Sequence, residues 1–191
     1  MTNLAASGPS ARKRLVEIIT ARSLQSGVNV TLSSGRASTY YFNMKPTMLD
    51  PEGAYLIGSL TLDLLSDENA TLIGGLEMGA VPLATSIATV SHMQSRPISA
   101  YFVRKQAKEH GTQLLIEGLA EGEDIASQRV VVVEDVTTTG GSALKAVEAV
   151  RQAGGVVASV VTIVDRLEGA GETFAAADVP FRALLTLDDF R

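Results

Sequence analysis

The chain has 191 residues, 46% of them hydrophobic and 19% charged. That balance predicts one globular domain with a buried core and excludes a disordered chain. A net charge of −5 excludes a general nucleic-acid binder, and the absence of cysteine excludes disulfides, thiolate catalysis and a zinc-thiolate centre. The opening MTNLAASGPSARKR puts no apolar stretch before its charges. No apolar run nears the roughly 20 residues of a membrane helix. The expectation is a soluble, cytoplasmic protein with no membrane partner.

Segments then alternate between strand and helix, the pattern of an α/β fold. Ser10 is suited to cap a first helix reaching Ser23, with Leu15, Ile18 and Ile19 on one face. Val28 to Leu32 and Thr39 to Asn43 read as strands of a hairpin around Ser33-Ser34-Gly35-Arg36. A helix is predicted from Pro51 to Leu65, with proline in its first turn and Ile57, Leu60 and Leu64 together. Thr71 to Gly74 reads as a short strand, Gly75-Leu76-Glu77-Met78-Gly79 as a loop, and Val81 to Met93 as a helix. Such a loop is able to present backbone amides to a phosphate, although glycine turns between strand and helix are common. A strand from Ile98 to Val103 enters the charged segment RKQAKEHGTQ.

Next comes VVVVEDVTTTGGS, from Val130 to Ser142. Val130 to Val133 suit a strand covered on both faces, as in a parallel sheet. Glu134 and Asp135 follow at the carboxyl edge, where open α/β sheets place their ligands. Val136, Thr137, Thr138, Thr139, Gly140 and Gly141 lead into a helix from Ser142 to Ala153, whose N-terminal amides and dipole favour a phosphate. Acids for hydroxyls beside a phosphate cradle match the needs of a ribose phosphate. No lysine follows the glycines as in a P-loop, and the G-x-G-x-x-G spacing is absent. An ordinary strand–turn–helix crossover is the alternative. Gly154-Gly155 ends that helix, Val156 to Val164 is a further strand with Asp165-Arg166 at its end, and Ala183 to Leu187 reads as a last strand.

Arg104, Lys105, Lys108 and His110 fall within seven positions of an acidic chain. A solvated helix face would place Arg104 and Lys108 together. A mobile loop that closes over concentrated negative charge is the other reading, favoured by Gly111-Thr112-Gln113 beyond it.

The Val130–Ser142 run resembles the phosphoribosyl-diphosphate signature of type I phosphoribosyltransferases. YFVRKQAKEHGTQLLIEG is similar to the catalytic loop of the orotate phosphoribosyltransferases within that group, and TLSSGRASTYYFNMK, GGLEMGAVPLATSIA and VTIVDRLEGA agree in order. The resemblance implies the type I fold, a mostly parallel central sheet flanked by helices, as a single domain over 1–191. A small N-terminal hood would span about 1–45 and the core about 50–191.

It also implies roles. Glu134 and Asp135 would hold the ribose hydroxyls, and Val136 and Thr137 through Ser142 the 5′-phosphate. Arg104, Lys105, Lys108 and His110 would bind the diphosphate, with Lys105, Lys108, His110 and Asp135 the catalytic set. Thr138, Arg166, Tyr41 and Phe42 would form the orotate site. Mg²⁺ would be carried mainly by substrate oxygens, and the loop would cross into the neighbouring site of a homodimer. Many relatives carry lysine where this chain has Ser33 and Met78, leaving Arg36 or Lys45 to compensate. A purine phosphoribosyltransferase and a non-catalytic regulator that binds phosphoribosyl diphosphate are the rival readings.

Overall fold

A computed structural model describes the backbone of residues 7–31, 37–106 and 115–191, and the side chains of these except 28–31 and 37–38. The first helix, α1, runs from Gly8 to Arg22. It starts before Ser10 because Pro9 sits in its first turn, where a missing N–H leaves no bond unmade. Strands β1 (Leu24–Thr31) and β2 (Ala37–Phe42) form an antiparallel ribbon separate from the main sheet. A short helix, α2 (Lys45–Met48), leads to α3 (Pro51–Leu64). The Asp50 carboxylate caps α3 by accepting from the Gly53 N–H at 3.0 Å.

The main sheet contains β3 (Leu72–Leu76), β4 (Ser99–Val103), β5 (Ile116–Glu117), β6 (Arg129–Thr137), β7 (Val156–Asp165) and β8 (Phe181–Thr186). Their order is β5-β4-β3-β6-β7-β8, and only the short edge strand β5 is antiparallel to its neighbour. Helix α4 (Ala80–Met93) connects β3 to β4, α5 (Gly141–Gln152) connects β6 to β7, and α6 (Ala170–Ala176) precedes β8. A 3₁₀ turn at Leu187–Phe190 ends the chain.

Alternation along β6 explains the two cores. Val131 and Val133 pack with Leu15, Ile57, Leu83 and Ile87 on one face of the sheet. Val130 and Val132 pack with Ala146, Val147, Val150 and Phe174 on the other. A strand whose successive side chains both meet helices must be apolar throughout, which is why four valines stand in a row. The chain leaves β3 towards β4 on one side of the sheet, whereas β6 continues through β7 to β8 on the other. The β3/β6 boundary is therefore the point where strand order reverses, and the carboxyl ends there splay apart into a crevice. Among the described residues, no helix is long and apolar enough to cross a membrane.

Candidate active site

The crevice at the β3/β6 boundary is a cleft of about 240 Å³ lined by residues including Lys45, Glu77, Met78, Gly79, Lys105, Glu134, Asp135 and Ser142. A second cleft of about 250 Å³ lies beside it, lined by Glu134, Val136, Thr138, Thr139, Gly140, Gly141, Ser142 and Lys145. Glu134 and Ser142 belong to both, so Glu134 sits at the junction of two polar hollows while Asp135 lines the first alone.

Strand β6 carries the acids further inside than a strand end exposed to solvent would. It continues past them to Thr137, which pairs with Asp165 on β7. Burial, reinforced by the charge of Asp135, pushes the Glu134 carboxyl up to about 7, against the Thr137 and Ser142 hydroxyls and the Ala143 N–H, which pull it down. Burial also raises the Asp135 carboxyl, opposed by a hydrogen bond from the Val136 N–H at 2.9 Å and by the charge of Lys45. Asp135 packs on the turn that opens α4, and a methyl group on Gly79 would lie 3.0 Å from its Oδ1. The peptide bond between Glu77 and Met78 in that turn is cis.

The predicted phosphate cradle takes its shape from the backbone. Gly140 takes φ +86°, in the left-handed region, and α5 starts at the next residue. Thr138 through Ser142 line the cleft over the first turn of that helix, where free N–H groups and the helix dipole attract an anion. Thr137 does not join them. It is fully buried, and its hydroxyl donates to Glu134 Oε2 at 3.2 Å.

The charged segment divides. The Lys105 N–H donates to Glu77 Oε1 at 2.8 Å, and Lys105 lines the first cleft. Arg104 turns towards β5, where its Nη1 lies 3.1 Å from Glu117 Oε1. Lys108, His110 and the rest of the predicted loop lie outside the described residues, as do Ser33 and Arg36.

Arg166 follows β7, and its backbone N–H donates to the Thr137 carbonyl, holding it at the same sheet edge as the acids. Its guanidinium is almost wholly buried. Nε donates to Glu168 Oε1 at 2.9 Å, Nη1 donates to the Tyr40 carbonyl at 3.0 Å, and the group lies 5.9 Å from the centre of the Phe42 ring. Phe42 is buried and meets Phe190 edge-on at 5.1 Å. Tyr41, on the other face of the same strand, is 39% exposed. The fold thus joins Arg166 with Phe42 and separates both from Tyr41.

Of two further lysines that line the clefts, Lys45 was named from sequence only as a compensating cation and Lys145 was not named. Lys145 lies four residues beyond Gly141 on α5, a spacing that puts both on one helix face and was available as a signal. The resemblance alone pointed to Lys45, and the fold of α2 against the core brings it into the cleft with Asp135.

The phosphoribosyl transferase domain model matches residues 48–180. An orotate phosphoribosyltransferase from a Bradyrhizobium species is 60% identical over 181 residues, covering 95% of this chain and 97% of the relative. A crystal structure of Mycobacterium tuberculosis orotate phosphoribosyltransferase superposes with a TM-score of 0.80 at 44% identity, covering 93% of this chain and 97% of that one. Another structure of the M. tuberculosis protein, in complex with 5-phospho-α-D-ribosyl 1-diphosphate, is 42% identical with a TM-score of 0.75, covering 93% and 97%. With such matches over nearly its whole length, the chain belongs to the phosphoribosyltransferase family and, within it, to the orotate phosphoribosyltransferases.

Proposed function

We propose that the protein transfers the phosphoribosyl group of 5-phospho-α-D-ribose 1-diphosphate to orotate, giving orotidine 5′-phosphate and diphosphate for pyrimidine nucleotide synthesis. The observation that carries this reading is the pair of clefts meeting at Glu134, one backed by the amides of α5 and one flanked by Lys45 and Lys105. That layout suits a ligand with a phosphate at one end, a diphosphate at the other and ribose hydroxyls between them.

In this mechanism the C1′–oxygen bond to diphosphate breaks as an orotate ring nitrogen, its proton passing to diphosphate or water, bonds C1′ from the opposite face, inverting that centre. Positive charge grows on the ribose while negative charge grows on the leaving group. No protein nucleophile is required. Glu134 and Asp135 accept from the ribose hydroxyls, the Thr138–Ser142 cradle holds the 5′-phosphate, and Lys105 meets the diphosphate with Lys108 and His110. The gain comes from orientation and from charges fixed in advance. Arg166 meets the orotate carboxylate by exchanging a present partner such as Glu168 for it.

The cleft also suits Mg²⁺. Glu134 and Asp135 would supply at most one or two hard oxygen donors to the ion, the rest coming from substrate and water. When bound, the ion neutralises charge on the leaving group. We further assign the working form as a homodimer in which Lys108 and His110, beyond Lys105 on the loop, serve the neighbouring site.

Loss of orotate absorbance in the presence of Mg²⁺ and phosphoribosyl diphosphate tests the reading, with adenine, hypoxanthine and uracil as comparison bases. Turnover of orotate alone is expected. Turnover of a purine and not orotate would overturn the choice of base, and binding without turnover of any base would make the protein a regulator.

A further inference from the structure

The described lining of the first cleft carries more acids than bases, an unfavourable surround for a diphosphate. Glu77, Glu134 and Asp135 all line it, against Lys45 and Lys105 among its described lining residues. A diphosphate placed there meets carboxylates at short range, and like charges in a partly dehydrated cleft repel strongly. Alongside Mg²⁺, a cation held by the protein in this cleft offsets that repulsion.

Lys45 is placed for that task. It is the first residue of α2, and the helix is clamped to the core from its other face. Met44 and Met48 are buried, as is Thr47, whose hydroxyl lies 2.6 Å from the Ser23 hydroxyl at the end of α1. The backbone under Lys45 is therefore anchored, while its side chain is exposed and reaches the cleft. It comes close enough to Asp135 for their charges to interact. Lys105 lines the same cleft, just past the end of β4, with its N–H on Glu77. The two lysines thus reach the acids' cleft from different elements.

We propose that Lys45 is a diphosphate-binding residue, which neutralises Asp135 in the empty cleft and turns to the leaving-group oxygens when phosphoribosyl diphosphate enters. This inference rests on the proposed substrate and assigns a residue to one end of it. An ammonium on a flexible stem makes that exchange easily, because its three donors rotate between acceptors without a fixed geometry. The arrangement also keeps the empty site from holding two adjacent uncompensated carboxylates.

Calorimetric titration of the wild type, Lys45→Met and Lys45→Arg with phosphoribosyl diphosphate and with ribose 5-phosphate, all in Mg²⁺, separates the possibilities. Ribose 5-phosphate keeps the hydroxyls and the 5′-phosphate but lacks the diphosphate. Lys45→Met should weaken phosphoribosyl diphosphate by about ten- to a hundredfold, as expected for loss of a charged hydrogen bond. Ribose 5-phosphate should change by less than about threefold, and Lys45→Arg should recover most of the loss. The side chain is exposed, so thermal melts of both variants should match the wild type.

Equal weakening of both ligands would make Lys45 a support for Asp135 and overturn the inference, as would unchanged binding of phosphoribosyl diphosphate. Failure of the wild type itself to bind phosphoribosyl diphosphate would sink the underlying substrate reading, and the role of Lys45 with it.

Discussion

Glu134 sits in the sheet with its carboxyl pushed up to about 7 by burial and by Asp135. The raised value means that the folded protein holds this proton through the window between its ordinary value of 4.5 and about 7, where the unfolded chain has lost it. The stabilisation is complete below that window and falls away as pH rises through it. Glu134→Gln removes the titrating group, so its stability relative to wild type should improve by about 1–3 kcal/mol between pH 5 and pH 8. Denaturant melts at the two pH values measure this, and a constant difference between the proteins would contradict the burial argument. The same variant should raise the requirement for phosphoribosyl diphosphate, because an amide is a poorer acceptor for ribose hydroxyls. Arg166 makes a second case at this scale. Held by Glu168 and the Tyr40 carbonyl, it trades a carboxylate of the protein for that of orotate. Arg166→Ala should cost orotate binding about 2–5 kcal/mol and phosphoribosyl diphosphate far less. Equal losses in titrations of the two substrates would put Arg166 outside the base site.

Between β6 and α5 the chain turns within a few residues, and Gly140 makes that possible. Its φ of +86° is disfavoured for other residues, and a methyl group there would lie 2.9 Å from the buried Phe174 ring. Gly140→Ala should therefore lower stability by about 1–3 kcal/mol through backbone strain and a clash with a fully packed ring. It should also weaken ribose 5-phosphate, since the amides of α5 lose their aim. Unchanged melting and unchanged binding would show that the cradle adapts to a side chain. At this scale the elements were legible where periodicity is strong. The helix from Pro51 and the strand before Glu134 stand where the sequence analysis put them, because their patterns extend over several turns or alternations. The boundaries moved where neighbours intervene. Gly75 and Leu76 belong to β3 because they pair with Phe102 and Val103 on β4, a partnership that has no local signal. The four-residue α2, the two-residue β5 and the seven-residue α6 are too short to show a period.

A site shared between subunits has a consequence that no single chain can show. If each site takes Asp135 from one subunit and Lys108 and His110 from the other, two differently damaged chains repair one site per hybrid. Mixing a Lys108→Ala, His110→Ala protein with Asp135→Asn should restore roughly a quarter of wild-type activity after random reassortment, since half of the C₂ dimers are hybrid with one intact site each. Proven subunit exchange without recovery of activity would mean that the loop serves its own chain.

The amino-acid sequence by itself determined the α/β class and the phosphate-cradle signature from Val130 to Ser142. Its resemblance to the orotate enzymes named the family. Those features are written in neighbouring residues, where alternation, turn chemistry and helix starts are local properties of the chain. Only the tertiary structure decided which side chains share a cleft. It turned Thr137 away from the phosphate cradle and onto Glu134, and tied Arg166 to Glu168 and the Tyr40 carbonyl while Tyr41 faces elsewhere. It also brought Lys45 to the acids of β6. Such pairings depend on how α2 and the β1–β2 ribbon dock on the sheet, and docking is set by packing between segments far apart in the chain.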